Sequence, residues 1–268
     1  MCAFHNSASS SQRLEYEIDQ GVARIVLNRP EAANAIDLTF AREFEAAATA
    51  ISTGAVRVAL ITAEGRNFCV GGDLKSFAGE ADLGAHLDEV TRHLHEGIAL
   101  LAEMDAPVVA AVNGAVAGAG LGIVCVADIV VAGESSTSLM AYTRLGLTPD
   151  GSSSWFLAQH VGLHRALDLA LTNRVLSARE ALEWGIVSRV VPDDLVLSEA
   201  QSIVTTLAAG PTAAYGAAAR LVRSAQDRTL RQHLDEERAQ MAERARHADG
   251  REGVAAFVER RDARFIGQ

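Results

Sequence analysis

The feature that most constrains this chain is a shape it uses twice: a short apolar run that breaks into glycines. The first reads Asn67-Phe68-Cys69-Val70-Gly71-Gly72-Asp73-Leu74. The second reads Val109-Ala110-Ala111-Val112-Asn113-Gly114-Ala115-Val116-Ala117-Gly118-Ala119-Gly120-Leu121-Gly122. Glycine lets a backbone turn at positive φ and come close to another backbone or a ligand. A helix that starts at such a turn leaves its first N–H groups without carbonyl partners. Two such groups aimed at one oxygen would hold negative charge developing there. Taken singly, either segment reads as a turn with tight helix packing. Neither is a dinucleotide fingerprint, because Gly118, Gly120 and Gly122 have the wrong final spacing and no acidic residue follows about 20 residues later at a strand end.

Around these turns, strand and helix patterns alternate. Residues 14–18 and 22–27 read as strands joined by the hairpin turn Asp19-Gln20-Gly21. Asp37 caps a helix expected to run to about Ser52. Residues 56–62, 68–70, 108–112 and 127–132 read as strands, with a last short one at 187–191. Leu87, Val90, Leu94, Ile98 and Leu101 recur at helical spacing. Ser177 and Glu180 form a capping box. Beyond Leu195 the chain reads as consecutive helices over 194–209, 211–225, 227–248 and 250–262, the last two dense in charge. Such helices bury little alone and call for a neighbour to pack on. The expected class is α/β with a helical appendage. Its parts are a Ser-rich leader at 1–13, a core at 14–194 that holds the site, and a helical region at 195–268.

Composition narrows the partners. The 268 residues carry a formal charge of −10, which argues against nucleic-acid or membrane binding driven by bulk charge. Lys75 is the only lysine, so a local anion site would have to use arginine. The most apolar stretch, 120–133, is broken by Asp128 and too short to span a bilayer. The start shows no basic region followed by an apolar run. Cys2, Cys69 and Cys125 form no CxxC pair, which suits a reducing compartment, so a cytoplasmic protein is expected. His86, His93 and His95 with Asp88 and Glu89 lack metal-ligand spacing and read as a solvated helix face, so no metal is expected. Ser152-Ser153-Ser154 lacks the strand-to-helix context of a serine nucleophile.

The two glycine segments together, in this order and separation, resemble the FCAGxDL and AAVNGxAxGGG patterns of the crotonase (enoyl-CoA hydratase/isomerase) superfamily. Asn28-Arg29-Pro30 with Asn34-Ala35-Ile36 resembles its early block. Leu145-Gly146-Leu147-Thr148-Pro149-Asp150 and the segments from Leu171 and from Glu183 resemble its later ones. The resemblance covers roughly residues 14–260. It implies a spiral of ββα units and a helical C-terminal trimerisation region, as a homotrimer or dimer of trimers. It implies an acyl-CoA substrate, with coenzyme A entering as part of the substrate and no separate cofactor. The oxyanion donors carry over to the N–H groups of Gly72 and Ala119. The adenosine end would lie near Arg29, Ala33 and Val70.

In hydratases of this family two glutamates handle the water. Here the matching positions hold Gly122 and Tyr142. Glycine transfers no proton, and tyrosine titrates near pKa ~10, too high for an easy base at neutral pH. Asp150 occupies the place of the working aspartate in the ring-epoxide/enoyl-CoA isomerase and 4-chlorobenzoyl-CoA dehalogenase branch, the closest in motif. One carboxylate in an apolar pocket can move a proton between two carbons of a thioester, which suffices for isomerisation of an enoyl-CoA. The bland alternative is that Asp150 caps a helix starting near Ser152. With Asp150 as acid/base, the resemblance puts Tyr142, His95 and Gly122 around the substrate, Tyr142 shaping the acyl pocket. By the same resemblance His95 aligns with the dehalogenase histidine, although beside Leu94 it also reads as a satisfied boundary residue. Asp150 as nucleophile with His95 as base is a hydrolytic, dehalogenase-like alternative. Direct hydration is another, and a non-catalytic acyl-CoA-binding subunit is one of a different class.

Overall fold

The structure, a computed structural model, describes residues 12–268. The leader expected at 1–13 lies, apart from its last two residues, outside the described residues, as does Cys2. Strands β1 (Leu14–Asp19) and β2 (Val22–Leu27) form an antiparallel hairpin. Its turn residues Gln20 and Gly21 have φ of 48° and 79°. Two successive positive φ values give the turn whose twist matches the flanking strands. Helix α1 (Leu38–Thr53) starts where the Asp37 carboxylate accepts the Phe40 N–H at 2.8 Å. Then follow β3 (Val58–Ala63), α2 (Leu74–Phe77), α3 (Leu83–Glu103) and β4 (Val108–Val112). The middle of the chain gives β5 (Ala115–Ala117), α4 (Ala119–Val126), β6 (Ile129–Gly133) and β7 (Thr137–Leu139). After it come α5 (Ser153–Val161), α6 (Leu163–Thr172), β8 (Leu176–Ser177), α7 (Ala178–Glu183) and β9 (Arg189–Val191). The tail is α8 (Val196–Ala208), α9 (Thr212–Arg223), α10 (Leu230–Arg246) and α11 (Ala248–Glu259).

The large sheet has the order β1-β2-β3-β4-β6-β9 and is parallel from β2 onward. A small sheet, β5-β7-β8, runs beside it. Isolated parallel bridges at Ile36–Gly72 and Cys69–Val116 continue its ladder toward the start of the chain. Each pass of the chain therefore adds a strand to the large sheet, a short strand or bridge to the small one, and a helix. That repetition is the spiral of ββα units. The run 68–70, expected as a strand, is reduced to the single bridge at Cys69. Its partner β5 is only three residues long, and Gly71 turns the chain away at φ 87°.

Side-chain alternation along the parallel strands builds two apolar layers. Ala59 and Ile61 of β3 face the larger core with Phe40, Phe44, Leu94 and Ile98 of α1 and α3. Val58 and Leu60 face the opposite way, where Val196, Ala200, Ile203 and Val204 of α8 close the sheet. The first helix of the C-terminal region is thus part of the sandwich. By contrast α10 buries no residue fully, and Phe257 on α11 is 85% exposed. Among the described residues no helix is long and apolar enough to cross a membrane.

Candidate active site

The two glycine turns touch. A β-carbon on Gly71 would lie 2.9 Å from the Ala117 carbonyl oxygen, and one on Gly118 would lie 3.6 Å from Gly71 Cα. Gly71 has no room for a side chain, and both residues adopt positive φ, 87° and 53°, which favours glycine in both turns. Ile36 uses its N–H and C=O on Gly71 and Asp73, at 2.8 Å each. In a parallel ladder that leaves the intervening residue facing the other way. The Gly72 N–H accordingly has no acceptor among the described residues. Ala119 is the first residue of α4, and its N–H is one of that helix's unpaired donors. Two free donors thus sit on adjoining loops, one of them at a positive helix end.

Charge holds the first loop. The Asp73 carboxylate caps α2 by accepting the N–H groups of Lys75 and Ser76 at 3.1 and 3.2 Å. Its other oxygen takes the Arg29 guanidinium at 2.7 Å. Burial alone would raise the Asp73 pKa, but Arg29 and the two N–H groups together hold it below the usual carboxylate range. Arg29 also lies 3.3 Å from Asp37, which in turn takes Arg13 at 2.8 Å. Arg13–Asp37–Arg29–Asp73 is an alternating ladder, and it shows a different use for Arg29 from the one expected. Its charge is already balanced within the fold by two carboxylates. Ala33 and Val70 do come together, joined by a Val70 N–H to Ala33 carbonyl bond of 3.3 Å.

Asp150 sits in the loop before α5. Its side chain does not cap that helix. The Asp150 backbone carbonyl does so instead, accepting the Ser153 N–H at 3.1 Å and the Ser153 hydroxyl at 2.7 Å. The carboxylate is left to accept a short hydrogen bond from the Tyr142 hydroxyl, which also lies 3.2 Å from the Asp150 carbonyl oxygen. Burial pushes the Asp150 pKa up, partly offset by the Tyr142 bond and nearby His95. The carboxyls of Asp73, Glu180, Asp193 and Glu252 are instead pulled down by their partners. Burial and then the Asp150 charge drive the Tyr142 pKa well up, so this phenol is a proton donor in a hydrogen bond and no base.

Gly122 does not line an open pocket, contrary to expectation. It is buried in α4, and a β-carbon there would overlap the Gly151 carbonyl oxygen. A β-carbon on Gly151 would itself lie 3.3 Å from Ala119 Cα. The loop that presents Asp150 is therefore pressed onto the first turn of α4. A side chain at 122 and this loop position exclude one another.

His95 is exposed on α3, yet its Nε2 accepts the Gly151 N–H at 3.0 Å. That contact brings it beside Asp150, which its place along the apolar stripe does not reveal. Elsewhere on α3, His86 pairs with Glu80, His93 with Glu45 and Glu89 with Arg42. Ser153, completely buried, ties the loop rather than attacking a substrate. Cys69 and Cys125 are buried, their thiols pushed up to about 12, which makes them poor nucleophiles. Sequence reasoning missed Ser153, the Gly122–Gly151 contact and the Arg13–Asp73 ladder. Only the adjacency of Ser153 to Asp150-Gly151 gave any local signal.

Comparison with known proteins fits this geometry. Residues 17–268 match the family model Enoyl-CoA hydratase/isomerase. The chain is 38% identical over 257 residues to 1,2-epoxyphenylacetyl-CoA isomerase of Escherichia coli, covering 94% of this chain and 97% of that protein. It is 32% identical to 4-chlorobenzoyl coenzyme A dehalogenase-2 of an Arthrobacter species, covering 94% and 92%. The solved enoyl-CoA hydratase of Polaromonas sp. JS666 superposes with a TM-score of 0.88 at 30% identity, covering 94% and 99%. These relatives carry three different reaction names on one fold. The chain belongs to the enoyl-CoA hydratase/isomerase family, the crotonase superfamily.

Proposed function

We propose that the chain isomerises an enoyl-CoA thioester by a proton shuttle on Asp150. Membership of the family makes it an enzyme for CoA thioesters. The observation that supports isomerisation over direct hydration is the contact between Gly122 and the Gly151 carbonyl. Space that a side-chain acid or base at 122 would need is filled by the loop that brings in Asp150. The ionised carboxylate takes a proton from C2 of a 3-enoyl thioester. The electron pair moves into the thioester oxygen, held by the Gly72 and Ala119 N–H groups. The same carboxyl then returns the proton at C4, and the double bond ends between C2 and C3. A pKa raised by burial brings the acid and base forms closer in energy near neutral pH, as a shuttle needs. Tyr142 steadies the carboxylate at one edge of the acyl pocket.

No separate cofactor enters this scheme. The adenosine end of coenzyme A would meet Ala33 and Val70, with Arg29 acting mainly through the loop it holds. Exposed Leu230, Met241, Val254 and Phe257 on the last two helices support assembly as a homotrimer or dimer of trimers. A cytoplasmic setting fits the cysteine usage. The hydrolytic reading keeps one supporting observation, His95 beside the Asp150–Gly151 peptide. Against it, the Nε2 lone pair that would take a proton from water is already occupied. The test is to offer 3-enoyl-CoA, 2-enoyl-CoA and aryl-CoA esters in heavy-oxygen water and weigh the products. Mass-neutral conversion of the 3-enoyl ester is expected. Heavy oxygen in a hydroxyl would mean hydration, and in a released acid or phenol, hydrolysis.

A further inference from the structure

The peptide unit between Asp150 and Gly151 is pinned at both ends. Its carbonyl accepts the Ser153 N–H and the Ser153 hydroxyl, at 3.1 and 2.7 Å, and the Tyr142 hydroxyl, which donates to the Asp150 carboxylate, lies 3.2 Å from it. Its N–H donates to His95 Nε2 at 3.0 Å. Tyr142 and Ser153 belong to the same stretch of chain as the loop. His95 comes from α3, more than fifty residues earlier. It is the side chain that references the loop to the rest of the core. Gly151 adopts its φ of 57° without strain and is intrinsically free to leave it, so the turn alone does not fix this peptide plane. A backbone N–H bonded to Nε2 requires that nitrogen to be unprotonated, so the ring proton of the neutral imidazole sits on Nδ1.

We propose that His95 is a positioning residue: its neutral Nε2 fixes the Asp150–Gly151 peptide plane and so aims the Asp150 carboxylate, and it takes no part in proton transfer. This rests on the reading of Asp150 as the acid/base. A displaced loop would misplace the carboxylate relative to the substrate carbons, where an error of 1 Å costs on the order of 100-fold in rate.

Two variants separate this role from a base and from plain packing. His95→Gln keeps an acceptor oxygen near the position of Nε2 but cannot act as a base at neutral pH. His95→Leu keeps the bulk and loses the acceptor. With 3-enoyl-CoA, His95→Leu should lower kcat about 10- to 100-fold with KM little changed, and His95→Gln should restore most of the loss. Amide hydrogen exchange at Gly151, measured on the free enzyme, should speed up in His95→Leu and stay slow in His95→Gln. In an Asp150→Asn background, His95→Leu should have no further effect on rate. Equal loss in both variants would overturn the proposal by showing that an ionising imidazole is required. Unchanged kcat and unchanged Gly151 exchange in His95→Leu would overturn it as well. Failure of the underlying reading looks different: Asp150→Asn would retain full turnover, while the exchange experiment would still report whether His95 holds the loop.

Discussion

The two glycine turns are similar in sequence and secured in opposite ways. The Gly72 turn is held by charge, through the ladder Arg13–Asp37–Arg29–Asp73 and two helix caps. The Ala119 turn is held by close packing, with Gly118 near Gly71, Gly120 against Cys69 and Gly122 against Gly151. A charged clamp tolerates small changes of shape but fails when one partner is removed. A contact between backbones tolerates no added atom. The same job, holding a free N–H steady, therefore has two different weak points. The packed side is also the side that delivers Asp150, so damage there reaches its carboxylate and the free N–H together.

The largest effect should come from the packed side. Gly122→Ala adds one carbon where the Gly151 carbonyl lies, although alanine favours a helix more than glycine does. Overpacking should cost about 1–3 kcal/mol in denaturant unfolding, and the shifted loop should lower kcat by about 100-fold or more. If Gly122→Ala is neutral in both, the contact between α4 and the loop is not what sets the site.

The charged side should lose stability more than chemistry. Arg29→Met leaves Asp73 without an ion-pair partner and Asp37 with Arg13 alone, and both carboxylates are about one-tenth exposed in their side chains. Removing one partner of a buried pair costs about 3–5 kcal/mol, and the partial exposure here puts the expectation near the lower end, about 3 kcal/mol. Denaturation midpoints check it. A drop in kcat as large as that of Gly122→Ala would erase the distinction between the two turns.

Tyr142→Phe sharpens the account of the carboxylate itself. The Tyr142 bond lowers the Asp150 pKa, so its removal should move the acid limb of kcat/KM to higher pH. An unmoved or downward-moved limb would mean that another group titrates.

The smallest effect is thermodynamic. The folded pKa of Asp150 is raised above its unfolded value by burial. Its contribution to stability is therefore fully present below the unfolded pKa and is lost as pH rises through the folded one. Asp150→Asn removes that loss. The variant should melt a few degrees above wild type at neutral pH and gain little in acid. A gap that widens toward low pH would contradict the sign.

Much of the scaffold was legible because it follows local rules. The hairpin at Gln20-Gly21, the Asp37 cap and the Ser177/Glu180 capping box each need only a few adjacent residues, and each is present. The run 68–70 was misread as a strand because strand length depends on a partner, and β5 offers only three residues. Asp150 was singled out by its resemblance to the aspartate of the isomerase and dehalogenase branch, which also put His95 forward as its companion, but the bonds the two make were not legible. Tyr142 is near in sequence, whereas His95 arrives from α3 on a face that periodicity assigns to solvent. The meaning of Gly122 was half legible: a missing acid can be read from a sequence, but the backbone that fills its place cannot. The Arg29 ladder spans residues 13 to 73, and no local pattern predicts which carboxylates would claim that guanidinium.

The central claim is that Asp150 is the group that moves the proton. It is tested most directly by the single-turnover rate of 3-enoyl-CoA isomerisation in Asp150→Asn, an isostere that still accepts the Tyr142 hydrogen bond. The account predicts a fall of about 100- to 10,000-fold with the melting temperature kept or raised. A rate within a few-fold of wild type would contradict it, and would place the shuttle on a group other than Asp150.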